Sequence, residues 1–327
     1  SDLAELVEHG FLTVSEHRAL IRHRDFLWRL RNGLHYLSGR CEDRLLFDHQ
    51  QQLAQQLGYR GGENHLAVER MMRDYYRTAK EMQLLNELLL QHFEEAILRS
   101  GRQRVRPINE RFQSVGSIIE SVHDNVFRDH PGALLEIFLL LLKRKGLSGI
   151  RASTVRLIRA NLDLIDGSFR RDPENRALFL EMFHHQAGLS QVLRRMSAYG
   201  VLGRFFPDFG RIVGQMQHDL FHVYTVDAHS MFVVGNLQRL AEDGHRHEFP
   251  HLTNLLSQQN SRERLFLAAL CHDLGKGSGR DHSEVGEEIA LRLCTNLGMS
   301  EYDASFVGWL VRQHLQMSWT AQREDIT

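Results

Sequence analysis

Proline is scarce in this chain, with five residues among 327, and this scarcity is the strongest constraint on the fold. A proline inside an α-helix removes a backbone hydrogen bond and clashes with the preceding turn, so a proline-poor chain can carry long helices. Between residues 65 and 98, neither proline nor glycine interrupts a pattern of apolar side chains at helical spacing. We therefore predict an all-α fold.

The helical period recurs along most of the sequence. The first long helix is expected to begin at a capping box from Thr13 to Glu16 and to end before Gly39. The predicted helices span residues 14–37, 45–57, 65–98, 133–142, 152–165, 173–183, 189–196, 226–241, 262–271, 283–297 and 300–314. Three segments lack the pattern: 108–122, which we expect to form at most one small β-hairpin, the looser segment 200–214, and the polar loop 242–259.

Charge divides the chain into two parts, although the net charge is only −1. Residues 1–206 hold 30 Lys and Arg against 25 Asp and Glu, whereas residues 207–327 hold 10 against 16. We place a domain boundary there, between a helical domain over 1–206 and a metal-binding helical domain over 207–327. Neither part is basic enough for its charge to predict nucleic-acid binding.

Other features argue against membrane and secreted classes. No apolar run reaches the roughly 20 residues that a membrane span needs, and the first residues do not resemble a secretory signal. The three cysteines, Cys41, Cys271 and Cys294, show no pairing pattern and fit a reducing compartment. We expect a cytoplasmic protein.

The stretch with the clearest chemistry is residues 268–286, AALCHDLGKGSGRDHSEVG. An apolar helix leads directly into His272 and Asp273, a glycine-rich loop follows, and His282 then starts the next helix. Burying such a polar pair without a partner is costly. We therefore predict that this stretch binds a cation.

Histidine is concentrated in the same part of the chain, with nine residues between positions 218 and 314. Four of them lie in predicted helices or directly at their ends: His229, His272, His282 and His314. Imidazoles with a carboxylate suit Mn²⁺, Mg²⁺, Fe²⁺ or Zn²⁺, and no cysteine has the spacing of a structural zinc ligand. We interpret His245, His247 and His251, in the polar loop, as ordinary surface residues.

The pattern HDLGKG…DHSEVGEE, preceded by TVDAHS and followed by RQHLQMS, resembles the HD superfamily of metal-dependent phosphohydrolases, in which ligands follow the order H…HD…H…H…D. The resemblance implies five metal ligands: His229, His272, Asp273, His282 and His314. The closing Asp has no secure match, because Asp325 follows His314 by only 11 residues. We expect that ligand beyond Thr327, which would leave the site one carboxylate short.

Longer segments narrow the resemblance to one family. QHDLFHVYTVDAHS (217–230), RDHSEVG (280–286) and WLVRQHLQMSWTAQREDI (309–326) resemble the bifunctional uridylyltransferase/uridylyl-removing enzymes. FLWRLRNGLHYLSGRCEDRLLFDHQQQLAQQLGY (26–59) is similar to the helical segment that follows their nucleotidyltransferase head. The resemblance implies hydrolysis of the phosphodiester that joins UMP to a tyrosine of the PII signalling protein. The implied cofactor is a divalent metal, with Mn²⁺ or Mg²⁺ favoured.

The resemblance also implies that the chain is the middle of a longer enzyme. A nucleotidyltransferase head needs a Gly-Ser turn and an Asp-x-Asp pair, and neither Gly61-Gly62 nor Asp163 belongs to one. Two other functions stay open. The chain could be an HD-type nucleotide phosphohydrolase, or a catalytically silent fragment that docks PII.

Roles follow for four residues of the implied site. Asp273 would orient the attacking water, and Lys276, one of four lysines among 40 basic residues, would hold a phosphate oxygen. The alternative for Lys276 is an exposed loop lysine. His218 and His222 would share a helical face with His229 and bind substrate, with a core or capping role as the alternative.

A basic strip in the first part is more ambiguous. It comprises Arg31, His35, Arg40 and Arg44. We interpret the strip as a solvated face, with contact to a nucleotide or to a head domain as the alternative.

Overall fold

The computed structural model describes residues 2–60, 64–95, 104–185, 187–216 and 224–323. The chain divides into two compact units: unit 1 comprises Ser1–Gln103 with Val213–Thr225, and unit 2 comprises Arg104–Ile212 with Val226–Thr327. Residues 104–206 cluster with unit 2, so the units do not coincide with the predicted domains, 1–206 and 207–327. Those domains stay a prediction.

All the secondary-structure elements in the described residues of unit 1 are helices. Its helices are α1 (Asp2–Glu8), α2 (Val14–Ser38), α3 (Phe47–Gln56) and α4 (Asn64–Phe93). Their shared core contains Leu30, Leu34, Leu53, Ala54, Ala67, Val68, Met71, Met72 and Met216. A Cβ on Gly33 would come within 2.6 Å of Leu53 Cδ1, so glycine permits the close approach of α2 and α3.

The ends of α2 confirm the sequence signals. The Thr13 side chain accepts a hydrogen bond from the Glu16 backbone N–H at 3.1 Å, and Glu16 accepts one from Thr13 N–H at 2.8 Å. Gly39 ends the helix with φ = 66°, a left-handed conformation that glycine adopts without strain.

Two acidic neighbours form ion pairs with the basic strip near the end of α2. Arg31 and His35 both contact Asp43, at 2.8 and 3.1 Å. Arg40 and Arg44 both contact Glu42, at 2.7 and 3.2 Å. The strip is therefore a set of local ion pairs, which favours a structural role over contact with a nucleotide.

Glu42 provides a test of this cluster. Its side chain is 7% exposed, and hydrogen bonds from the Arg44 backbone and side chain lower the pKa of Glu42 to about 2. A glutamate with a lowered pKa stabilises the fold above its unfolded pKa of about 4.3 and loses this effect as the pH falls toward 2. We expect Glu42→Gln to lower the urea midpoint equally at pH 7 and pH 5, and by less at pH 3.

The control for this substitution is Glu288→Gln, which removes an exposed carboxylate paired with Arg280 on the surface. Exposed pairs contribute about 0–1 kcal/mol, so the control should change the urea midpoint little at any pH. A Glu42→Gln effect that does not shrink between pH 5 and pH 3 would contradict the prediction.

Unit 2 begins with a small sheet of strand order β1-β2-β3-β4. Its strands are β1 (Val105–Pro107), β2 (Phe112–Val115), β3 (Ile118–Ser121) and β4 (Gly149–Ile150). The predicted hairpin is β2 and β3, paired antiparallel about Gly116. The sequence did not predict β1, which pairs antiparallel with β2, or β4, which pairs parallel with β3.

The remaining elements of unit 2 are helices. The helices before the predicted domain boundary are α5 (Val126–Asp129), α6 (Ala133–Lys143), α7 (Ala152–Ala160), α8 (Gly167–Arg171), α9 (Pro173–Met182), α10 (Leu189–Ala198) and α11 (Val201–Phe205). After the boundary come α12 (Pro207–Ile212), α13 (Val226–Ala241), α14 (Pro250–Ser257), α15 (Glu263–Cys271), α16 (His282–Asn296), α17 (Glu301–Arg312) and α18 (Gln316–Arg323). Helix accounts for 68% of the described residues and strand for 4%, which confirms the all-α prediction.

Three local expectations were wrong. The segment 200–214 contains α11 and α12, which approach closely because Gly203 and Gly210 leave no side chains between them. The polar loop 242–259 contains α14, which begins at Pro250, a residue that suits the first helical turn. The helix predicted over 152–165 ends at Ala160 and is followed by a 3₁₀ turn, Leu162–Leu164.

Aromatic side chains form much of the core of unit 2. Those with almost no exposed surface are Phe112, Phe127, Phe138, Phe179, Phe183, Phe209 and Phe266. The apolar run 134–142 lies in α6, where most side chains are buried as predicted. Among the described residues, none of the helices has the length and apolar character required to cross a membrane.

Candidate metal centre

Four helices of unit 2 deliver the candidate ligands. His229 lies in the first turn of α13, and His272 follows the last residue of α15. His282 is the first residue of α16, and His314 follows the end of α17 by two residues. Most of these side chains therefore lie at helix ends, and the packing of the helices brings them together although they are distant in the sequence.

Two local features fix the loop between α15 and α16. The Asp281 side chain accepts hydrogen bonds from the N–H groups of Ser283 and Glu284, at 2.9 and 3.0 Å, and caps α16. The backbone of Gly275 packs on the first turn of α16, where a Cβ would lie 2.1 Å from the His282 carbonyl oxygen. The cap and the glycine together hold His282 beside the His272-Asp273 pair.

Asp273 is the centre of the cluster, and its side chain is only 3% exposed. Its Oδ2 lies 3.3 Å from His272 Nε2 and 3.8 Å from His229 Nε2. Its Oδ1 lies 3.8 Å from His314 Nε2. The ring of His282 lies 5.4 Å from that of His314, measured between ring centres.

Backbone carbonyls orient two of the imidazoles. His272 Nδ1–H donates to the Ala269 carbonyl at 2.8 Å, and His314 Nδ1–H donates to the Val311 carbonyl at 2.7 Å. Each bond directs Nδ1 to a carbonyl oxygen and turns Nε2 toward Asp273, where Nε2 can ligate a metal once it carries no proton. This arrangement is typical of histidines that ligate metals.

The ligand atoms form two groups that share Asp273. One group comprises His229, His272 and Asp273, the other Asp273, His282 and His314, and within each group the ligand atoms lie within 4.8 Å of one another. Nitrogen and carboxylate donors at this spacing fit a divalent cation, and a shared carboxylate can bridge two. The predicted ligand residues are therefore brought together, while their role as ligands stays a prediction.

The electrostatics of the cluster favour cation binding. Burial alone raises the pKa of Asp273, but His272 and Lys276 outweigh burial and hold that pKa well below its usual value. Burial lowers the pKa of His282 and of His314 below the ordinary value for histidine. At neutral pH the centre thus offers a charged carboxylate, and the lowered pKa values of His282 and His314 favour the neutral imidazole that a metal requires.

Lys276 lies inside the cluster. Its ammonium Nζ donates to Asp273 Oδ2 at 2.9 Å, and its side chain is only 8% exposed. This position excludes the alternative of an exposed loop lysine. Its predicted contact with a phosphate oxygen stays a prediction.

Other predicted site residues are not placed in the cluster. His218 and His222, the predicted substrate-binding residues, lie outside the described residues, as does Asp325. His247 and His251 are exposed and His245 contacts Glu248 at 2.7 Å, so these three histidines are surface residues, as interpreted from the sequence.

The sequence did not predict the carbonyls of Ala269 and Val311 as parts of the centre. Each lies three residues before the histidine it orients, within the last turn of an apolar helix. A histidine that follows the end of a buried helix can donate a hydrogen bond to a carbonyl in the last turn of that helix. The positions of His272 and His314 in the sequence could therefore have predicted these two contacts.

A separate cleft in unit 2, with a volume of about 930 Å³, shares no lining residue with the two ligand groups. Several of its carboxylates already have structural partners: Asp166 and Asp172 cap α8 and α9, and Glu136 binds Arg111 at 2.6 Å. We assign this cleft no role.

Comparison with known proteins covers nearly the whole chain. Three family models match: GlnD PII-uridylyltransferase over residues 1–90, the uridylyltransferase GlnD third domain over 112–205, and the HD domain over 226–327. The HD match contains the five candidate ligands. HD domains are metal-dependent, in agreement with the ligand groups described above.

Curated relatives are similar along the full chain. A bifunctional uridylyltransferase/uridylyl-removing enzyme of Nitrosococcus oceani is 52% identical over 322 residues, and those of Methylococcus capsulatus and Azotobacter vinelandii are 51% and 48% identical over 326 and 327 residues. These alignments cover 98%, 99% and 100% of this chain. The chain spans 36–37% of the length of these relatives.

Proposed function

The chain belongs to the family of bifunctional uridylyltransferase/uridylyl-removing enzymes, and we propose that its metal centre carries the uridylyl-removing reaction. In this reaction, water cleaves the phosphodiester that joins UMP to a tyrosine of the PII signalling protein. The products are UMP and unmodified PII. The reaction is a metal-dependent phosphodiester hydrolysis.

One observation carries the proposal: the Nε2 atoms of His229, His272 and His314 surround the two oxygens of a buried aspartate. A phosphodiester hydrolase needs a place where a cation and a nucleophilic water lie beside a phosphate. This cluster supplies the cation ligands, and it lies in the part of the chain that matches the HD domain.

The side chains of His229, His272, Asp273, His282 and His314 would hold a divalent ion, which would lower the pKa of a water at the site from about 15.7 toward 7. Asp273, which is charged at neutral pH, accepts a hydrogen bond from the attacking water and orients it. Lys276 donates to a phosphate oxygen as negative charge develops there. The carbonyls of Ala269 and Val311 hold the imidazoles of His272 and His314 in the ligating tautomer.

The leaving group places modest demands on the site. The water oxygen forms a new bond to phosphorus, the bond between phosphorus and the tyrosine oxygen breaks, and the tyrosinate then takes a proton. The pKa of tyrosine is about 10, so tyrosinate departs without a strong general acid. This agrees with a cluster that is rich in metal ligands and has few proton donors.

Two finer assignments belong to the same proposal. We keep Mn²⁺ or Mg²⁺ as the favoured metal, with Fe²⁺ or Zn²⁺ as alternatives, because a mixed imidazole and carboxylate set accommodates each of these cations. For His218 and His222 we keep the role of substrate contacts, which rests on their sequence spacing from His229 alone.

A simple diester tests the metal chemistry. We expect the purified chain to bind Mn²⁺ and to hydrolyse bis-p-nitrophenyl phosphate, with p-nitrophenolate release measured at 405 nm. Treatment with EDTA should abolish the activity, and added Mn²⁺ should restore it. Failure to bind metal while His272 and Asp273 are intact would refute the enzymatic function for this chain.

The natural substrate needs a separate assay. Uridylylated PII should lose UMP in the presence of Mn²⁺ and this chain, as followed by the mass of PII. Hydrolysis of free nucleotides at a higher kcat/KM than uridylylated PII would instead favour a nucleotide phosphohydrolase. Binding of PII without hydrolysis, by a chain that also fails on the simple diester, would favour a silent docking fragment.

A further inference from the structure

The two oxygens of Asp273 have different neighbours. Oδ2 accepts a hydrogen bond from Lys276 Nζ at 2.9 Å and also faces the Nε2 atoms of His272 and His229, at 3.3 and 3.8 Å. Oδ1 faces His314 Nε2 at 3.8 Å. The lysine ammonium therefore lies on the same oxygen that a cation held by His229 and His272 would need.

We propose that Lys276 is a built-in competitor of the metal: its ammonium occupies Oδ2 of Asp273 and is displaced when a divalent cation binds. The inference rests on the metal centre of the proposed function but not on its substrate. In this proposal, Lys276 binds Asp273 in the metal-free protein and contacts a phosphate oxygen only after a metal has bound.

Burial makes this competition strong. The side chains of Asp273 and Lys276 are 3% and 8% exposed, so water screens their charges poorly. A divalent ion and an ammonium on one carboxylate oxygen repel each other, and this repulsion grows as the local dielectric constant falls. Both cations are thus disfavoured on Oδ2 at once.

The displaced ammonium can move without a change in the fold. A lysine carries its charge on a flexible four-carbon stem, and residues 277 and 279, which flank Ser278 in the same loop, are glycines with φ = 76°. Once released from Asp273, the ammonium remains beside the cluster, where it can bind a phosphate oxygen. Metal binding therefore frees the group that holds the anion, and the two ligands should bind cooperatively.

If Lys276 competes with the metal, removing its positive charge should strengthen metal binding. Without the ammonium, Mn²⁺ meets no competitor, so Lys276→Met should bind Mn²⁺ more tightly than the wild-type chain. UMP should tighten Mn²⁺ binding in both proteins, but more in the wild type, because only there does the anion also capture the displaced lysine.

The experiment measures Mn²⁺ binding by electron paramagnetic resonance, with and without UMP, for the wild type, Lys276→Met and Lys276→Arg. We expect Lys276→Met to lower the Kd for Mn²⁺ alone at least tenfold and to reduce the gain that UMP produces. Lys276→Arg, which keeps the charge, should stay close to the wild type. Lys145→Met removes an exposed lysine and controls for net charge.

An unchanged or higher Kd in Lys276→Met would overturn the inference. Lys276→Gln provides a second neutral variant, and circular dichroism checks that each variant is folded. Tighter Mn²⁺ binding by Lys276→Met, together with a wild-type chain that hydrolyses no diester, would refute the proposed function and support the competition. Hydrolysis by the wild type, together with an unchanged Kd in Lys276→Met, would support the proposed function and refute the competition. No Mn²⁺ binding by the wild type or any variant would refute both.

Discussion

Replacing Asp273 with asparagine should abolish tight metal binding and reduce metal-dependent diester hydrolysis by roughly two to four orders of magnitude. The substitution keeps the size of the side chain and removes its charge. Asp273 belongs to both ligand groups, so one neutral amide weakens every cation position in the cluster. Mn²⁺ titration and steady-state hydrolysis of bis-p-nitrophenyl phosphate measure the two effects.

Loss of the Asp273 charge should also lower the stability of the metal-free protein. The ammonium of Lys276 would stay buried beside a neutral amide, and breaking a buried ion pair typically costs about 3–5 kcal/mol. Thermal unfolding in EDTA therefore has to accompany the binding experiments, at a temperature where the variant is folded. A folded Asp273→Asn variant with normal rates would remove Asp273 from the mechanism.

Asp281→Asn is the matched control, because it makes the same chemical change eight residues further along. Asp281 is exposed and caps α16, and asparagine caps a helix about as well as aspartate. We expect this variant to bind Mn²⁺ and hydrolyse the diester at close to wild-type levels. A large loss in the control would show that the charge of Asp281 also matters, so that the effect of Asp273→Asn could not be ascribed to the shared carboxylate alone.

The helices could be predicted from the sequence on physical grounds, whereas the grouping of the candidate ligands could be predicted only from the family resemblance. Apolar side chains at helical spacing gave α13 its observed bounds, Val226–Ala241, because a long amphipathic helix is strongly constrained by burial of one face. The clustering of His229 with His272 came from the family pattern, since no spacing rule brings together residues more than 40 positions apart.

The features that could not be predicted are those that depend on tertiary packing. Strand β4 has only two residues, and it exists because residues 149–150 pair with β3. The burial of Lys276 is similar: glycines on either side favour an exposed loop, whereas the ion pair with Asp273 draws the side chain inward. In both cases contacts from distant segments outweigh the local preference.

Replacing Gly275 with alanine should disrupt the metal centre by displacing a ligand, although none of the candidate ligands is substituted. A Cβ at this position would lie 2.1 Å from the carbonyl oxygen of His282 and 2.9 Å from the backbone nitrogen of Gly286. Both atoms belong to the backbone of α16, so neither can rotate away. The loop and the helix must separate, which carries His282 away from Asp273.

We expect Gly275→Ala to lower the free energy of unfolding by about 3 kcal/mol or more and to weaken Mn²⁺ binding at least tenfold. Gly244→Ala is the control, because a Cβ there meets no atom within 4 Å and Gly244 has no positive φ; its effect should stay within about 0.5 kcal/mol. The metal measurement separates a general loss of stability from a displaced site. If Gly275→Ala bound Mn²⁺ as the wild type does at a temperature where both are folded, the close contact between residue 275 and α16 would not position His282 as a ligand.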